Sequence, residues 1–198
     1  MKRTMFAQFT LLLVASWISS SAVAEEAQYR YSSDRPFYSD WFVGKEMPVV
    51  GHSPTNEKCS GGCHWTFLPG LLPQRSWERT MENLEDHFGE RIQLPPETSE
   101  AILEYLTRGA AEFTESKVSI KILDSIGEKT PLRVSTIPYI EKQHEDVDDG
   151  AWKHPSIGAK SNCVACHQGV EENGLFDEHD VVYPEEYEKE IEAVEEGW

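Results

Sequence analysis

Residues 163–167 read Cys-Val-Ala-Cys-His and residues 59–64 read Cys-Ser-Gly-Gly-Cys-His; together they hold all four cysteines of the chain. In each run an imidazole follows the second thiol directly. The C-x-x-C-H form is that of covalent c-type haem attachment, in which two thiols add to the vinyl groups of one porphyrin and the adjacent histidine ligates the iron from the same side. Residues three apart on a helical turn share a face, so Cys163 and Cys166 can reach one ring edge above His167. The first run has an extra residue between its cysteines. Positions four apart are still helix neighbours, and Gly61 and Gly62 let the backbone bulge, so Cys59 and Cys63 can hold a second haem with His64 on its iron. A thioredoxin-type disulfide would not need the histidines. A zinc site would make the twin Cys-His steps a coincidence, and two structural disulfides would rest on compartment alone. The sequence therefore predicts two c-type haems.

With His64 and His167 as proximal ligands, the other five histidines compete for the opposite faces: His52, His87, His144, His154 and His179. The choice decides the chemistry, because an iron with two strong protein ligands carries electrons and one with an open position binds or activates small molecules. His87 stands at the edge of an apolar stripe formed by Trp77, Met81, Leu84 and Phe88, where a side chain can leave the packed face to meet a porphyrin. Met81 is its rival, although a methionine inside such a stripe more often packs in a core. For the second haem His144 has the longest tether and follows the apolar residues Ile137, Tyr139 and Ile140; His179 and His154 are the alternatives. His154 precedes Pro155 and reads as part of a surface turn. His52 is an outsider in a flexible stretch.

The elements that must position these groups are helical. A helix is expected from an N-cap at Ser76 to Gly89, and a second from Thr98 or Ser99 to Gly109 with Ile102, Tyr105 and Leu106 facing inward. The predicted fold class is mainly α, two small haem lobes with much irregular structure: residues 57–112 for the first lobe and 113–183 for the second. Residues 25–56 are rich in aromatic side chains and lack a clean period, which suggests an irregular segment around a haem edge or the lobe junction, or an arm that docks a partner. Residues 184–198 form an acidic tail whose short helix starts after Pro184. No G-x-G-x-x-G or P-loop occurs.

At the other end, Lys2 and Arg3 precede an apolar run and then Ala22-Val-Ala24, the pattern of a secretory signal peptide over residues 1–24. Cleavage after Ala24 would leave 174 residues with 16 basic and 35 acidic side chains, a formal charge of −19 in place of the full chain's −17. Such a field repels nucleic acid and anionic lipid, and it favours a partner with a basic docking face. The expected location is outside the cytoplasm.

From Lys58 to Pro184 the chain resembles the small periplasmic dihaem cytochromes c. The likeness is carried by "CHWTFLPGLLPQRSW", "LEDHFGE", "ILEYL", "IPYIEKQHEDV" and "NCVACHQGVEENGLFDE". The resemblance implies a bis-histidine electron carrier rather than an enzyme, and it favours His87 and His144 as distal ligands. It also implies redox protein partners: a small oxygen-binding monohaem c-type cytochrome as acceptor, and a membrane b-type cytochrome. The extra residue in the first motif and the two flanks depart from the family pattern. The competing reading is a small haem enzyme or gas-binding protein in which one haem lacks a strong distal ligand.

Overall fold

The structure, a computed structural model, describes Met47 and residues 51–59, 64–176, 179 and 181–195. The signal-peptide reading and most of the aromatic-rich segment lie outside the described residues, as does Cys63. The described residues belong to one compact unit.

Helix α1 spans Ser53–Cys59 and ends on the first cysteine. A short 3-10 turn at Pro69–Leu71 follows, buried throughout. Pro73 then precedes α2, Gln74–Glu82, because its missing N–H costs nothing where a helix has no acceptor to offer it. The start predicted at Ser76 is corrected: Ser76 sits inside α2 and is fully buried, while Glu112 from a distant turn accepts the first free amide, Gln74 N, at 2.9 Å. The predicted end at Gly89 is also corrected. Helix α2 stops at Glu82, and a 3-10 turn at Leu84–Asp86 carries the chain toward His87.

Helix α3 covers Pro96–Arg108, close to the expected limits, with Ile102 and Leu106 buried and Gly109 closing it. Helix α4, Lys117–Ile126, buries Ser119, Ile122, Leu123 and Ile126. Helix α5 is Pro138–Gln143, α6 is Val170–Asn173 and α7 is Glu185–Glu195. Among the described residues there is no β-strand, only one isolated bridge between His87 and Glu90. The molecule is thus mainly α with long irregular connections, as its sequence predicts. None of these helices is long and apolar enough to cross a membrane.

Packing joins α2 to α3, α4 to α5 and α1 to α3. One core runs through Trp65, Leu68, Leu71, Leu72, Ile102, Leu106, Ile122, Ile137 and Val170, so residues near both cysteine motifs share the same apolar interior. Two close approaches explain glycines. A Cβ on Gly70 would lie 2.9 Å from Ser119 Oγ, whose hydroxyl donates to the Gly70 carbonyl at 2.8 Å. Gly174 has φ +67° and closes α6, and its carbonyl accepts from Met47 N at 3.0 Å. Arg75 ties α2 to the loop after α4 by donating to the carbonyls of Gly127 at 2.7 Å and Lys129 at 2.6 Å.

Candidate haem centres

The second motif forms a turn of its own. Residues Cys163–Ala165 are 3-10 helical, Cys166 N donates to Cys163 O at 3.2 Å, and His167 N donates to the same carbonyl at 2.8 Å. Two thiols and an imidazole are therefore gathered on one short helical turn, as the spacing requires. Tail-side backbone braces it: Val182 N donates to Cys166 O at 3.0 Å.

Cys163, Cys166 and His167 line a cavity of about 510 Å3, whose other walls include His144, Trp152, Phe67, Phe176 and Tyr183. That volume lies in the range of cofactor pockets, about 300–1,000 Å3. His144 comes from the end of α5. Its Nδ1 lies 2.8 Å from the Ile140 carbonyl. A carbonyl only accepts, so Nδ1 carries the proton and Nε2 keeps its lone pair for a metal. The His144 and His167 ring centroids are 6.1 Å apart. His167 Nδ1 is buried without a hydrogen-bond partner, and the Phe176 ring, 5.3 Å away, helps to hold the imidazole in place.

The first motif places Cys59 at the end of α1 and His64 beyond residues 60–63, which are outside the described part, so the bulge expected there is not described. His64 Nδ1 lies 2.5 Å from Trp65 O, which again leaves Nε2 available. The partner imidazole arrives from a tight turn rather than from a helix face. His87 N donates to Glu90 O at 2.8 Å, Glu90 N donates back at 3.1 Å, and Asp86 Oδ1 accepts Gly89 N at 3.2 Å. Closing this turn puts Phe88 at φ +57°, a conformation that is strained for a bulky residue. The Arg133 guanidinium covers the Phe88 ring at 4.1 Å. The sequence pattern that put Phe88 in a buried stripe is corrected here: the turn rotates it outward to 46% exposure and leaves His87 half-buried. His64 and His87 have ring centroids 6.2 Å apart.

These separations can be tested against an iron. A metal–nitrogen bond of about 2 Å and about 1.1 Å from nitrogen to ring centre would put two imidazoles on opposite sides of one metal about 6.2 Å apart, centre to centre. Both pairs fit. Electrostatics agree in sign, since a ligating histidine must be neutral. Burial lowers the His87 pKa, helped by His64 and Arg133; burial likewise lowers that of His167, helped by His144. Burial raises the pKa of the thiols of Cys59, Cys163 and Cys166, that of Cys163 to about 11. Such surroundings disfavour a metal-bound thiolate and suit a neutral thioether.

The remaining histidines are engaged elsewhere or lie away from this cavity. His154 pairs its Nδ1 with Ser156 Oγ at 2.7 Å and sets Nε2 3.4 Å from Glu190 of α7, with the Tyr187 ring at 5.3 Å. His52, expected to be an outsider, stacks on Tyr105 of α3 at 4.8 Å and pairs with Thr55. Neither His154 nor His179 lines the cavity. Met81 packs against the core.

The dihaem cytochrome c profile matches residues 55–176, well over half of the chain. The chain belongs to the dihaem cytochrome c family. It is therefore a haem-binding cytochrome, and two covalently attached c-type haems come with that membership. Solved relatives share the fold. The cytochrome superposes on a diheme cytochrome c from Rhodobacter sphaeroides with a TM-score of 0.57 at 35% identity, covering 65% of this chain and 98% of that one. A second structure, of DHC purified from Rhodobacter sphaeroides, gives 0.51 at 34% identity, with 65% and 100% covered. A diheme cytochrome type c from Shewanella baltica OS155 gives 0.54 at 28% identity, with 67% and 93% covered. A comparison with curated protein sequences gives no match.

What sequence reasoning missed around these centres is aromatic. Phe67 lies tilted against the His64 ring at 5.1 Å and also lines the cavity beside His167, and Trp65 stands 5.2 Å from Phe67. Nothing in their spacing separates them from ordinary core residues. The only sequence signal is their adjacency to the first Cys-His step.

Proposed function

We propose that the cytochrome is an electron carrier in which His64 and His87 hold one iron and His167 and His144 hold the other, with thioethers from Cys59, Cys63, Cys163 and Cys166. The observation that carries this reading is the pair of imidazole separations, 6.2 Å and 6.1 Å, each matched to the span of one iron. The haems supply a one-electron couple at each iron, and the polypeptide supplies ligation, burial and distance. His144 and His64 fix their tautomers on backbone carbonyls, and burial keeps His87 and His167 neutral. Held between two imidazoles, each iron would keep no open position for peroxide or oxygen. This favours a carrier over the haem enzyme or gas-binding protein.

The cytochrome works in the periplasm after removal of residues 1–24, and its redox partners are proteins with basic docking faces. Their classes are a small oxygen-binding monohaem cytochrome c and a membrane b-type cytochrome. The acidic surface, with a net charge of −17 on the full chain, supports the basic partner face.

Absorption and electron paramagnetic resonance spectra of the purified holoprotein test the ligation. Both haems are expected to be six-coordinate and low-spin in either oxidation state and to ignore carbon monoxide. A high-spin component that binds carbon monoxide would return the reading to an enzyme or sensor.

A further inference from the structure

The dihaem profile ends at residue 176, yet the chain beyond it returns to the second attachment turn. Backbone makes the first contact: Val182 N donates to Cys166 O at 3.0 Å. The residues on either side of it, Val181 and Tyr183, line the cavity together with Cys163, Cys166, His144 and His167. Alternate side chains thus form part of the cavity wall, while Val182 between them is exposed.

What keeps this wall in place is α7. The ring centroids step 5.5 Å from Tyr183 to Tyr187 and 5.3 Å from Tyr187 to His154. His154 is itself held firmly. Ser156 N donates to its Nδ1 at 3.3 Å, so Nε2 carries the proton and faces Glu190 Oε1 at 3.4 Å. The His154 carbonyl accepts from Ile157 N at 3.0 Å and Gly158 N at 2.8 Å, and buried Ile157 lines the same cavity on the approach to Cys163. The contacts therefore join the segment that enters the attachment turn to the segment that leaves it. Their sizes differ. The Glu190 side chain is 71% exposed, so water screens its pair with His154 and the pair contributes little. The His154 side chain is only 11% exposed, so its contact with the Tyr187 ring does more. Elsewhere α7 buries little, since Ile191 and Val194 are exposed, and its place depends on Tyr187.

We propose that residues 181–195 are a strap that completes the second haem site, with Val181 and Tyr183 as a wall and Tyr187, packed against His154, as the latch that keeps the wall closed. His154 and Tyr187 are positioning residues here, not ligands. The proposal rests on the carrier reading and gives the tail a task, which is to keep water from one side of the second haem. Burial disfavours the more highly charged ferric state, so a closed strap holds the midpoint potential of that haem above its open value.

The test uses the full-length haem-loaded cytochrome with two readouts, hydrogen exchange at the Val182 amide and the midpoint potential of each haem. In the unsubstituted protein the amide is expected to be protected. Tyr187→Ala should speed its exchange about tenfold by freeing the strap to open locally. The same variant should lower the potential of the haem that His144→Ala turns high-spin and leave the other haem at its parent value. Tyr187→Phe keeps the ring and should restore both readouts, and both variants should stay low-spin. Tyr183→Ala opens the wall itself and should lower the same potential if Tyr187→Ala does not accumulate. An unprotected Val182 amide in the parent would overturn the strap and leave the carrier standing. So would a Tyr187→Ala protein in which either readout keeps its parent value. A parent haem that is high-spin and binds carbon monoxide would overturn the carrier reading instead.

Discussion

His87 and His144 reach their places by different local means, and the difference predicts how each can fail. His144 caps α5 and is anchored by the Ile140 carbonyl, so its ring direction is set within one helical turn. His87 depends on a closed turn with a strained Phe88 and a glycine at φ +99°. His87→Ala and His144→Ala should each convert one haem, and only one, to a high-spin form that binds carbon monoxide, readable by optical and paramagnetic resonance spectra. His154→Ala should leave both haems low-spin, because that imidazole faces Ser156, Glu190 and Tyr187. If both His87→Ala and His144→Ala stay six-coordinate with unchanged spectra, the assignment of distal ligands is wrong. Gly89→Ala places a side chain on a backbone that L-residues rarely adopt, and the His87 haem should lose its low-spin signature at a lower temperature than in the parent.

At the scale of elements, the helices are fixed by contacts distant in sequence more than by their own caps. Glu112 accepts Gln74 N and pairs with Arg75 at 3.3 Å, and Arg75 reaches the carbonyls beyond α4. One carboxylate thus closes the start of α2 and neutralises the arginine that ties α2 to α4. Glu112→Ala should lower unfolding free energy by about 1–3 kcal/mol, the cost of losing hydrogen bonds to a charged group. Ile122, fully buried on α4, tests the shared core: Ile122→Ala should cost about 2–5 kcal/mol in denaturant unfolding of the holoprotein. Values near zero would mean that the porphyrins, rather than the helices, carry the fold. Helix α3 was legible because its run from Pro96 to Gly109 contains start, stripe and stop in order. The ends of α2 are not legible in the sequence, since a serine followed by an apolar stripe looks like a cap and Glu112 is far along the chain.

Over the whole molecule, charge is the property that partners meet first. The full chain carries 35 acidic and 18 basic side chains, and α7 concentrates glutamates beside the second attachment turn, where Tyr187 and Glu190 touch His154. Binding to a basic redox protein, measured by titration at rising salt, should weaken steadily, because exposed charges more than about 8–10 Å apart are screened near physiological ionic strength. Affinity independent of salt would remove charge from the docking argument.

Two Cys-His steps and the helical character of the chain follow from the sequence by itself, because the signature of covalent haem attachment is written in residues a few positions apart. The spacing of Cys163, Cys166 and His167 dictates one turn, and that turn forms. Only the tertiary structure brought His87 within 6.2 Å of His64 and His144 within 6.1 Å of His167, and set Phe67, Trp65 and Phe176 in a row between them. Those relations join segments that are distant along the chain. Their geometry comes from how α2, α3, α4 and α5 pack on a common core, and periodicity along one helix carries no record of that.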